Sequence, residues 1–444
     1  MGILFGTDGV RGKANEELTP ELACQLGKAV AHLLVADSDT PAIAIGKDTR
    51  ISGDLLESAL MAGILSRGVD VYRLGVMPTP AIAYLTRHLK ADAGVVISAS
   101  HNPFFDNGIK FFNRFGFKLS DELEEQVEEL VLGEQEIPRA VGANIGRIID
   151  FENAKDIYSQ FLIKQFPGSL HGLKVVLDCA NGAASEVSPQ VLEALGAELI
   201  VINNQPNGVN INDNCGSTHL DFLKEEVIRH QADIGIAHDG DADRMLAVDE
   251  TGDEVDGDQI MVICAKHLKE LGRLTNNKVV VTVMSNLGLR KAFEEADIEV
   301  EITDVGDRYV LERMVATEAF LGGEQSGHII FLDTNTTGDG LMSALKLLEV
   351  MVQQRKSLSE LASQMTIYPQ VLLNVVVPNK EIAMNHPLFQ SEIRRMQTLL
   401  GSEGRILVRP SGTEPKVRIM VEGQDLEEID AMAKNLKKII ASSV

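Results

Sequence analysis

Two short segments combine residue types that could transfer a phosphoryl group. Residues 98–103 read SASHNP and follow the apolar run 94–97, and residues 239–244 read DGDADR and follow the apolar run 234–237. Each apolar run predicts a buried strand, and ligands collect beyond the carboxyl ends of strands in open α/β sheets. A serine hydroxyl beside carboxylates that hold a divalent cation would suit phosphoryl transfer.

The carboxylate loop has three interpretations. Asp239, Asp241 and Asp243 stand at alternate positions, so their oxygens could converge on one hard cation, with Arg244 contacting phosphate or a carboxylate. An EF-hand loop would add Glu250, but it needs glycine where Arg244 stands, and strands rather than helices are predicted around it. The third interpretation is a turn of solvated acids. Mutual repulsion and the buried strand leading into the loop favour the metal site.

The serine loop is ambiguous by itself. It lacks the G-x-S-x-G elbow of an esterase, and a polar turn set by Asn102-Pro103 stays open. His101 is adjacent to Ser100, and because neighbouring side chains diverge, we do not expect a direct pair. Lys110 is either an exposed lysine or a general acid/base or charge stabiliser for the phosphoryl group.

Three further segments have the composition of ligand loops. Residues 6–12 combine glycines with one cation, as an anion cradle would. Residues 322–328 place hydrogen-bonding side chains between glycines, and residues 409–415 offer the donors that a phosphate requires. Because such loops are spread over the chain, we expect one site assembled from several domains. The candidate residues are Arg11, Glu324, Ser326, His328, Arg409, Ser411, Gly412 and Thr413.

Alternating apolar strands and amphipathic helices predict an α/β architecture for most of the chain. Strands are predicted at 42–46, 69–75, 93–98, 174–178, 198–202, 233–237, 278–283 and 298–302, and helices at 53–66, 120–136, 258–271 and 339–354, with another opened by Thr19-Pro20. The last segment predicts antiparallel strands at 371–377, 405–408 and 416–421 and a closing helix with apolar positions from 426 to 440, a small α+β domain. The predicted domains are 1–150, 151–254, 255–368 and 369–444.

The composition restricts the partners. The 444 residues include 41 Lys and Arg against 65 Asp and Glu, a net charge of −24 without a long basic run, so we expect neither nucleic acid nor membrane as a partner. No apolar stretch could span a bilayer, and residues 1–12 lack the apolar core of a signal peptide. The four scattered cysteines indicate neither a disulfide framework nor a zinc site. We therefore predict a soluble cytoplasmic protein.

The five loops together resemble those of the α-D-phosphohexomutase superfamily. FGTDGVRG (5–12), SASHNP, DGDADR, GEQSGH (323–328) and RPSGTEPKVRIMVEG (409–423) stand in that family's order, and the resemblance covers essentially the whole chain. The GEQSG form is similar to the branch that acts on glucosamine phosphates, whereas GEMSG or GEESG would be more similar to branches acting on mannose or glucose phosphates.

The resemblance implies three related α/β domains with mixed sheets and a smaller C-terminal α+β domain around a central cleft. It implies interconversion of glucosamine 6-phosphate and glucosamine 1-phosphate through a phosphoserine enzyme and a 1,6-bisphosphate, in UDP-N-acetylglucosamine and cell-envelope synthesis. One Mg²⁺ per chain and an activating sugar 1,6-bisphosphate are implied as cofactors.

The resemblance also assigns roles residue by residue. Ser100 would carry the phosphoryl group, and a phosphoserine oxygen with Asp239, Asp241 and Asp243 would hold Mg²⁺. Arg11, Lys110 and Arg244 would stabilise the transferring group, and His328 would assist proton transfer. Glu324 and Ser326 would bind sugar hydroxyls, and the phosphate that is not reacting would be held by Arg409, Ser411, Gly412 and Thr413.

Three other functions stay open. A phosphoglucomutase or phosphomannomutase would use the same machinery on another sugar. A metal-dependent phosphatase would use an Asp nucleophile in the loop 239–243, although Asp243 stands where its DxDx[TV] motif needs Thr or Val. A non-catalytic sensor would bind the sugar phosphate without turnover. The oligomeric state is also open, with a homodimer among the alternatives.

Overall fold

A computed structural model describes residues 4–6, 8–35, 40–133, 135–411 and 415–442 of the chain. Contacts divide the chain into two compact units. The larger comprises residues 1–284 with 296–364, and the smaller comprises residues 285–295 with 365–444. No helix among the described residues is both long and apolar enough to cross a membrane.

The first sheet of the larger unit has seven strands in the order β1-β2-β6-β5-β3-β4-β7. The strands are β1 (Phe5–Gly6), β2 (Gly9–Lys13), β3 (Ala42–Lys47), β4 (Asp70–Val76), β5 (Ala93–Ile97), β6 (Asp106–Asn113) and β7 (Ile148–Asp150), and the helices beside them are α1 (Pro20–Leu34), α2 (Gly53–Leu65), α3 (Thr79–His88) and α4 (Asp121–Leu132). β3 to β5 and β7 run parallel, and β1, β2 and β6 add antiparallel pairs. The buried apolar side chains of β3, β5, α1 and α2 form one core cluster.

Two smaller mixed sheets complete the larger unit. One has the order β12-β11-β10-β8-β9 and the other the order β14-β13-β15-β16. Their strands are β8 (Lys174–Asp178), β9 (Glu198–Ile202), β10 (Ile234–His238), β11 (Met245–Asp249), β12 (Glu254–Val255), β13 (Lys278–Thr282), β14 (Glu299–Thr303), β15 (Leu321–Gly323) and β16 (Ile329–Phe331). The helices are α5 (Ala154–Gln165), α6 (Val187–Ala194), α7 (Asp221–His230), α8 (Gly257–Glu270), α10 (Asp307–Thr317), α11 (Gly340–Gln354) and α12 (Leu358–Ala362), with α9 (Leu287–Glu295) in the smaller unit.

The three mixed sheets share one local arrangement. In each sheet, one strand pairs in parallel with a neighbour on one side. A short loop follows this strand and leads to the next strand, which pairs antiparallel with it on the other side. These strand pairs are β5 with β6, β10 with β11, and β15 with β16. The serine loop, the carboxylate loop and the segment GEQSGH are the loops of these three hairpins. The related α/β build therefore positions three candidate loops in the same way.

The smaller unit contains an all-antiparallel sheet in the order β17-β19-β18. Its strands are β17 (Gln370–Val376), β18 (Gly404–Pro410) and β19 (Lys416–Gly423), and its further helices are α13 (Lys380–Met384), α14 (Pro387–Leu400) and α15 (Leu426–Ser442). Ile429, Leu436 and Ile440 of α15 are buried in its core, as the helical spacing of apolar residues predicts. This is the predicted α+β segment.

The predicted helices and strands are present close to their expected bounds because local signals specify them. Pro20 is the first residue of α1, and the hydroxyl of Thr19 accepts a hydrogen bond from the backbone N–H of Leu22 at 3.2 Å. The segment 6–12 differs from expectation. It is not a loop throughout, because residues 9–13 form β2 and place Arg11 opposite Gly108 of β6.

A pH dependence of stability follows from Glu124 on α4. Burial raises the pKa of this half-buried carboxyl to about 7, although Arg308 at 3.4 Å opposes the shift. A carboxyl whose pKa is higher in the folded chain binds its proton more tightly when folded. Its contribution to stability is therefore present below pH 4.5 and is lost as the pH rises to about 7. We expect the Tm of E124Q to vary less across this range than that of the wild type.

The control is E125Q, which changes an exposed glutamate on the same helix. Thermal unfolding of the three proteins at several pH values between 4.5 and 7 is the measurement. Identical pH profiles for wild type and E124Q would contradict the prediction.

Candidate active site

Ser100 lies in the loop after β5 and is almost fully buried. Its Oγ is 2.5 Å from Oδ2 of Asp239 and donates to it, which joins the serine loop to the carboxylate loop. The Oγ also lies 3.3 Å from Nδ1 of His101, a contact that the sequence did not lead us to expect. The reason is the backbone: Ser100 has a φ of 51°, a left-handed turn in which adjacent side chains need not diverge.

The pKa values of the two neighbours of the Ser100 hydroxyl are shifted in opposite directions. Burial, assisted by Arg244 and Arg11, lowers the pKa of His101 to about 4, so its ring is neutral at pH 7. Burial raises the pKa of Asp239 well above its usual value, and the carboxylates of Asp243 and Asp241 raise it further. The hydroxyl therefore lies between a neutral imidazole and a carboxyl that burial disfavours in its charged form.

The three aspartates form one buried cluster in the loop between β10 and β11. One carboxylate oxygen from each of Asp239, Asp241 and Asp243 lies within 4.8 Å of the others. Oδ1 of Asp241 and Oδ1 of Asp243 are buried and have no hydrogen-bond partner among the described residues. Buried carboxylate oxygens without partners are costly, and a hard divalent cation is the ligand that suits them. The residues present therefore fit a metal ion such as Mg²⁺.

The EF-hand interpretation is wrong. Strands β10 and β11 flank the loop where an EF-hand has helices. Glu250, which would complete the calcium ligands, instead accepts hydrogen bonds from the backbone N–H and the hydroxyl of Ser359, in the first turn of α12. Asp241 also has a structural partner outside its loop, because its Oδ2 accepts from the Thr79 hydroxyl at 2.6 Å, at the N-terminus of α3.

Lys110 is buried on β6, so the alternative that it is an exposed lysine is wrong. Its Nζ lies 2.8 Å from Asp8, 2.9 Å from Asp241 and 3.7 Å from Asp243. Burial lowers the pKa of Lys110, but these carboxylates outweigh burial and raise it. Lys110 therefore carries a fixed positive charge beside the aspartates and does not act as a base at neutral pH.

Asp8 is a carboxylate that three cations share. Arg11, Lys110 and Lys118 all form ion pairs with it. Burial opposes ionisation, but Lys110 and Lys118 hold the pKa of Asp8 well below its usual value. Lys118 also pairs with Asp307 at the N-terminus of α10. One largely buried ammonium therefore connects the segment between β6 and α4 with α10. Sequence analysis missed Lys118 and Asp307, because neither lies in a segment with a recognisable pattern.

The segment GEQSGH offers an unsatisfied polar group. Oγ of Ser326 is buried and has no hydrogen-bond partner among the described residues. Oε1 of Glu324 accepts from the backbone N–H of Gly306 at 3.1 Å. The Gln325 amide instead donates to Asp256 at 2.9 Å, the residue that caps α8. Glu324 and Ser326 are thus positioned by a loop whose middle residue is anchored to the scaffold.

His328 precedes β16 and lies between two carboxylates. Its Nδ1 is 3.7 Å from Asp243, its Nε2 is 3.6 Å from Asp307, and Nε2 accepts from the backbone N–H of Gly338 at 3.1 Å. Burial lowers the pKa of His328, but Asp243 outweighs burial and raises it. Because Gly338 donates to Nε2, the proton of a neutral ring sits on Nδ1 and faces Asp243.

Arg244 and Arg11 lie near the same aspartates. The backbone N–H of Arg244 donates to Asp239 at 3.2 Å, and its Nε is 3.8 Å from Asp243. Burial opposes ionisation of Arg244, but Asp243, Asp239 and Glu324 raise its pKa. Arg11 on β2 likewise remains positively charged. Two guanidinium groups and the ammonium of Lys110 therefore surround the serine and carboxylate loops.

The smaller unit carries the predicted phosphate loop after β18. Arg409 lies directly opposite Arg418 in the register of β18 and β19, and like charges directly opposite destabilise a sheet. Nε of Arg418 is buried and has no hydrogen-bond partner among the described residues. A bound anion would supply an acceptor for it. Ser411 is buried, and its carbonyl accepts from Lys380 at 2.7 Å. Gly412 and Thr413 lie outside the described residues.

Comparison with known proteins gives full-length matches. Four family models match in order: Phosphoglucomutase/phosphomannomutase alpha/beta/alpha domain I at residues 2–137, domain II at 154–252, domain III at 256–368 and the C-terminal domain at 372–439. The chain is 59% identical to the phosphoglucosamine mutase of Desulforamulus reducens over 100% of both chains. It is also 59% identical to that of Carboxydothermus hydrogenoformans over 99% of both chains.

Solved structures agree on the fold. A phosphoglucomutase/phosphomannomutase family protein from Burkholderia thailandensis aligns with a TM-score of 0.83 at 23% identity, over 98% of this chain and 97% of that one. N-acetylphosphoglucosamine mutase of Aspergillus fumigatus, solved with GlcNAc-6P and magnesium, aligns with a TM-score of 0.72 at 18% identity, over 100% and 96% of the two chains.

Removing the Lys118 bridge should destabilise the larger unit. In K118M, Asp307 and Asp8 lose a buried cation, and breaking a buried ion pair typically costs about 3 kcal/mol. Denaturant unfolding of K118M should show a loss of this order. The control is K13M, which removes the exposed partner of Glu16 and should change stability little. Equal unfolding free energies for K118M and K13M would contradict the prediction.

Proposed function

This chain belongs to the phosphoglucomutase/phosphomannomutase family, and we propose that it interconverts glucosamine 6-phosphate and glucosamine 1-phosphate. Relatives that are 59% identical over the full length carry the name phosphoglucosamine mutase, which supports this substrate. The observation that carries the mechanism is the buried contact of 2.5 Å between Ser100 Oγ and Asp239 Oδ2. It joins a hydroxyl to a carboxylate cluster that fits a divalent cation.

We propose that Ser100 is a reusable phosphate carrier. When the phosphoserine reacts, the bond between Oγ and phosphorus breaks and a bond from phosphorus to a sugar oxygen forms, which gives the 1,6-bisphosphate. The sugar hydroxyl releases a proton, and Oγ takes one up. After the bisphosphate has turned around, Oγ receives the other phosphoryl group by the reverse step. Oγ itself lies against Asp239 and His101, which fix its position for both transfers.

Charge balance supports a metal ion at the aspartates. A phosphoserine carries about −1.5 to −2 charges at pH 7 and would be repelled by three carboxylates. Asp239, Asp241 and Asp243 would hold Mg²⁺ with a phosphoserine oxygen, and the bound ion would neutralise charge and polarise phosphorus. Lys110, Arg11 and Arg244 supply further positive charge for the equatorial oxygens of the transferring group.

The remaining roles concern the substrate. We propose that Glu324 and Ser326 bind sugar hydroxyls, since the Ser326 hydroxyl has no partner among the described residues. His328 would assist proton transfer from its position beside Asp243. The phosphate that is not reacting would be held by Arg409, Ser411, Gly412 and Thr413. We add Arg418, because its buried Nε has no hydrogen-bond partner in the part of the chain that the structure describes. A sugar 1,6-bisphosphate would serve as activator by restoring the phosphoserine.

Several sequence-based expectations stay predictions. They are the division into domains at 150, 254 and 368, a homodimer as one possible assembly, the absence of nucleic-acid partners and a cytoplasmic location. They do not bear on the chemistry proposed for Ser100.

The first test is the covalent state of Ser100. Incubation with glucose 1,6-bisphosphate should add one phosphoryl group that peptide mass spectrometry maps to Ser100. S100A should lose mutase turnover because the carrier is absent, whereas S58A, an exposed serine of the same domain, should keep it. Turnover should be fastest with glucosamine 1-phosphate when glucose and mannose 1-phosphates are assayed beside it.

Different results would favour the other functions. Faster turnover of a hexose 1-phosphate would indicate a phosphoglucomutase or phosphomannomutase. Net phosphate release that survives S100A would indicate a phosphatase. Phosphorylation of Ser100 without any turnover would indicate a sensor.

The second test is metal binding in the absence of substrate. Adding Mg²⁺ to protein treated with EDTA should raise the Tm, because a ligand at about 100 times its Kd stabilises the native state by about 2.7 kcal/mol. D241N should show a smaller rise because it lacks one carboxylate of the cluster. D213N, which changes an exposed aspartate, is the matched control. The same rise in D241N and in D213N would place the ion elsewhere.

A further inference from the structure

Two side chains from different domains hold the same two carbonyl groups of the serine loop. Nη2 of Arg50 donates to the carbonyl of Ser100 at 3.0 Å and to that of Asn102 at 2.6 Å. Nδ2 of Asn212 donates to the same two carbonyls at 2.9 and 3.1 Å. Arg50 follows β3 in the first sheet's domain, and Asn212 lies between β9 and α7 in the second. The backbone on both sides of His101 is therefore held from two directions.

Arg50 is itself immobilised by a buried partner. Its guanidinium pairs with Asp48, and both side chains are completely buried. Asp48 Oδ2 accepts from the hydroxyl of Ser98 at 2.5 Å, and the Ser98 hydroxyl in turn accepts from the backbone N–H of Ser100 at 2.9 Å. Asp48, Ser98 and Arg50 thus form a continuous set of hydrogen bonds beneath Ser100. Nη1 of Arg50 is thus used by Asp48 and Nη2 by the two carbonyls.

The contacts enforce a backbone shape that serine does not favour. Ser100 has a φ of 51°, a left-handed conformation that persists in a non-glycine residue only when its surroundings hold it. The carboxylate loop approaches from the other side, and a Cβ added to Gly240 would lie 2.6 Å from the Ser100 carbonyl. Only a glycine can therefore pack so closely against the Ser100 carbonyl at this position.

We propose that Arg50 and Asn212 are positioning residues that keep the Ser100 Oγ at one place throughout the reaction cycle. This inference rests on the proposed function, in which Oγ gives up a phosphoryl group and later recovers it. The phosphoryl group changes the charge on Oγ, but Arg50 and Asn212 bind backbone carbonyls, so their hydrogen bonds are the same in both states. The loop then needs no rearrangement between the two half-reactions.

The test compares R50K and N212G with the control T49V. R50K keeps the charge but has only one side-chain nitrogen, so it cannot pair with Asp48 through one nitrogen and donate to both carbonyls through another. N212G removes the amide while tolerating the φ of 57° at that position. Thr49 lies beside Arg50, and its hydroxyl donates to the Asn181 carbonyl rather than to the serine loop. The readouts are kcat and KM for glucosamine 1-phosphate, the rate at which glucose 1,6-bisphosphate phosphorylates Ser100, and the Tm.

Misplacing a reacting group by about 1 Å can cost about 100-fold in rate, so we expect losses of that order in kcat and in the phosphorylation rate of both variants. Their KM should change by less than about threefold, since neither residue is assigned to substrate binding and uniform binding is retained. T49V should keep the wild-type kcat. The double variant should lose less than the product of the two single losses, because both side chains hold the same carbonyls.

Three results would overturn the inference. They are wild-type kcat in R50K and N212G, a lowered Tm without a lowered phosphorylation rate, and a loss of kcat in T49V equal to theirs. If R50K fails to fold, N212G alone decides by the same criteria. A wild-type protein that neither accepts a phosphoryl group at Ser100 nor turns over the sugar phosphate would instead refute the proposed function.

Discussion

The site depends on burying several carboxylates close together. A buried carboxylate loses its hydration, and only a nearby cation or a hydrogen-bond donor compensates that loss. Asp8, Asp241 and Asp243 share the ammonium of Lys110, and Asp8 and Asp307 share that of Lys118. These cations still leave one carboxylate oxygen each of Asp241 and Asp243 without a hydrogen-bond partner among the described residues. A metal ion fits this arrangement, and Lys110, which we propose as a charge stabiliser for the reaction, is also a cation that compensates the buried aspartates.

The local features of the site could be predicted from sequence because each depends on a short segment. The runs before Ser100 and Asp239 are buried strands as expected, and both residues lie in the loops that follow them. Expectations failed where the backbone or a distant partner decides. The left-handed φ of Ser100 brings His101 to its hydroxyl, and pairing with β6 converts the segment around Arg11 into a strand.

Long-range partners account for the residues that sequence reasoning missed. Lys118 and Asp307 are 189 positions apart, and the Thr79 hydroxyl that binds Asp241 is 162 positions from it. Arg50 and Asn212 bind the same carbonyls of the serine loop, and no pattern in their own segments predicts that contact. Single-sequence patterns describe neighbours along the chain, whereas these pairs are created by packing three sheets into one unit. The fold class and the aspartate cluster were therefore accessible from sequence, but the partners that Lys118, Thr79, Arg50 and Asn212 provide were not.

The anchoring of Gln325 changes how the GEQSG motif should be understood. Its amide is engaged by Asp256, which also caps α8 through Gln259 in a capping box. In this chain Gln325 therefore supports the loop 324–328 from the N-terminus of α8. If Glu324 and Ser326 bind the sugar as we propose, Gln325 acts on specificity through the shape of the loop. Exchanging Gln325 alone would then alter how the loop is held and leave the chemistry of Glu324 and Ser326 unchanged.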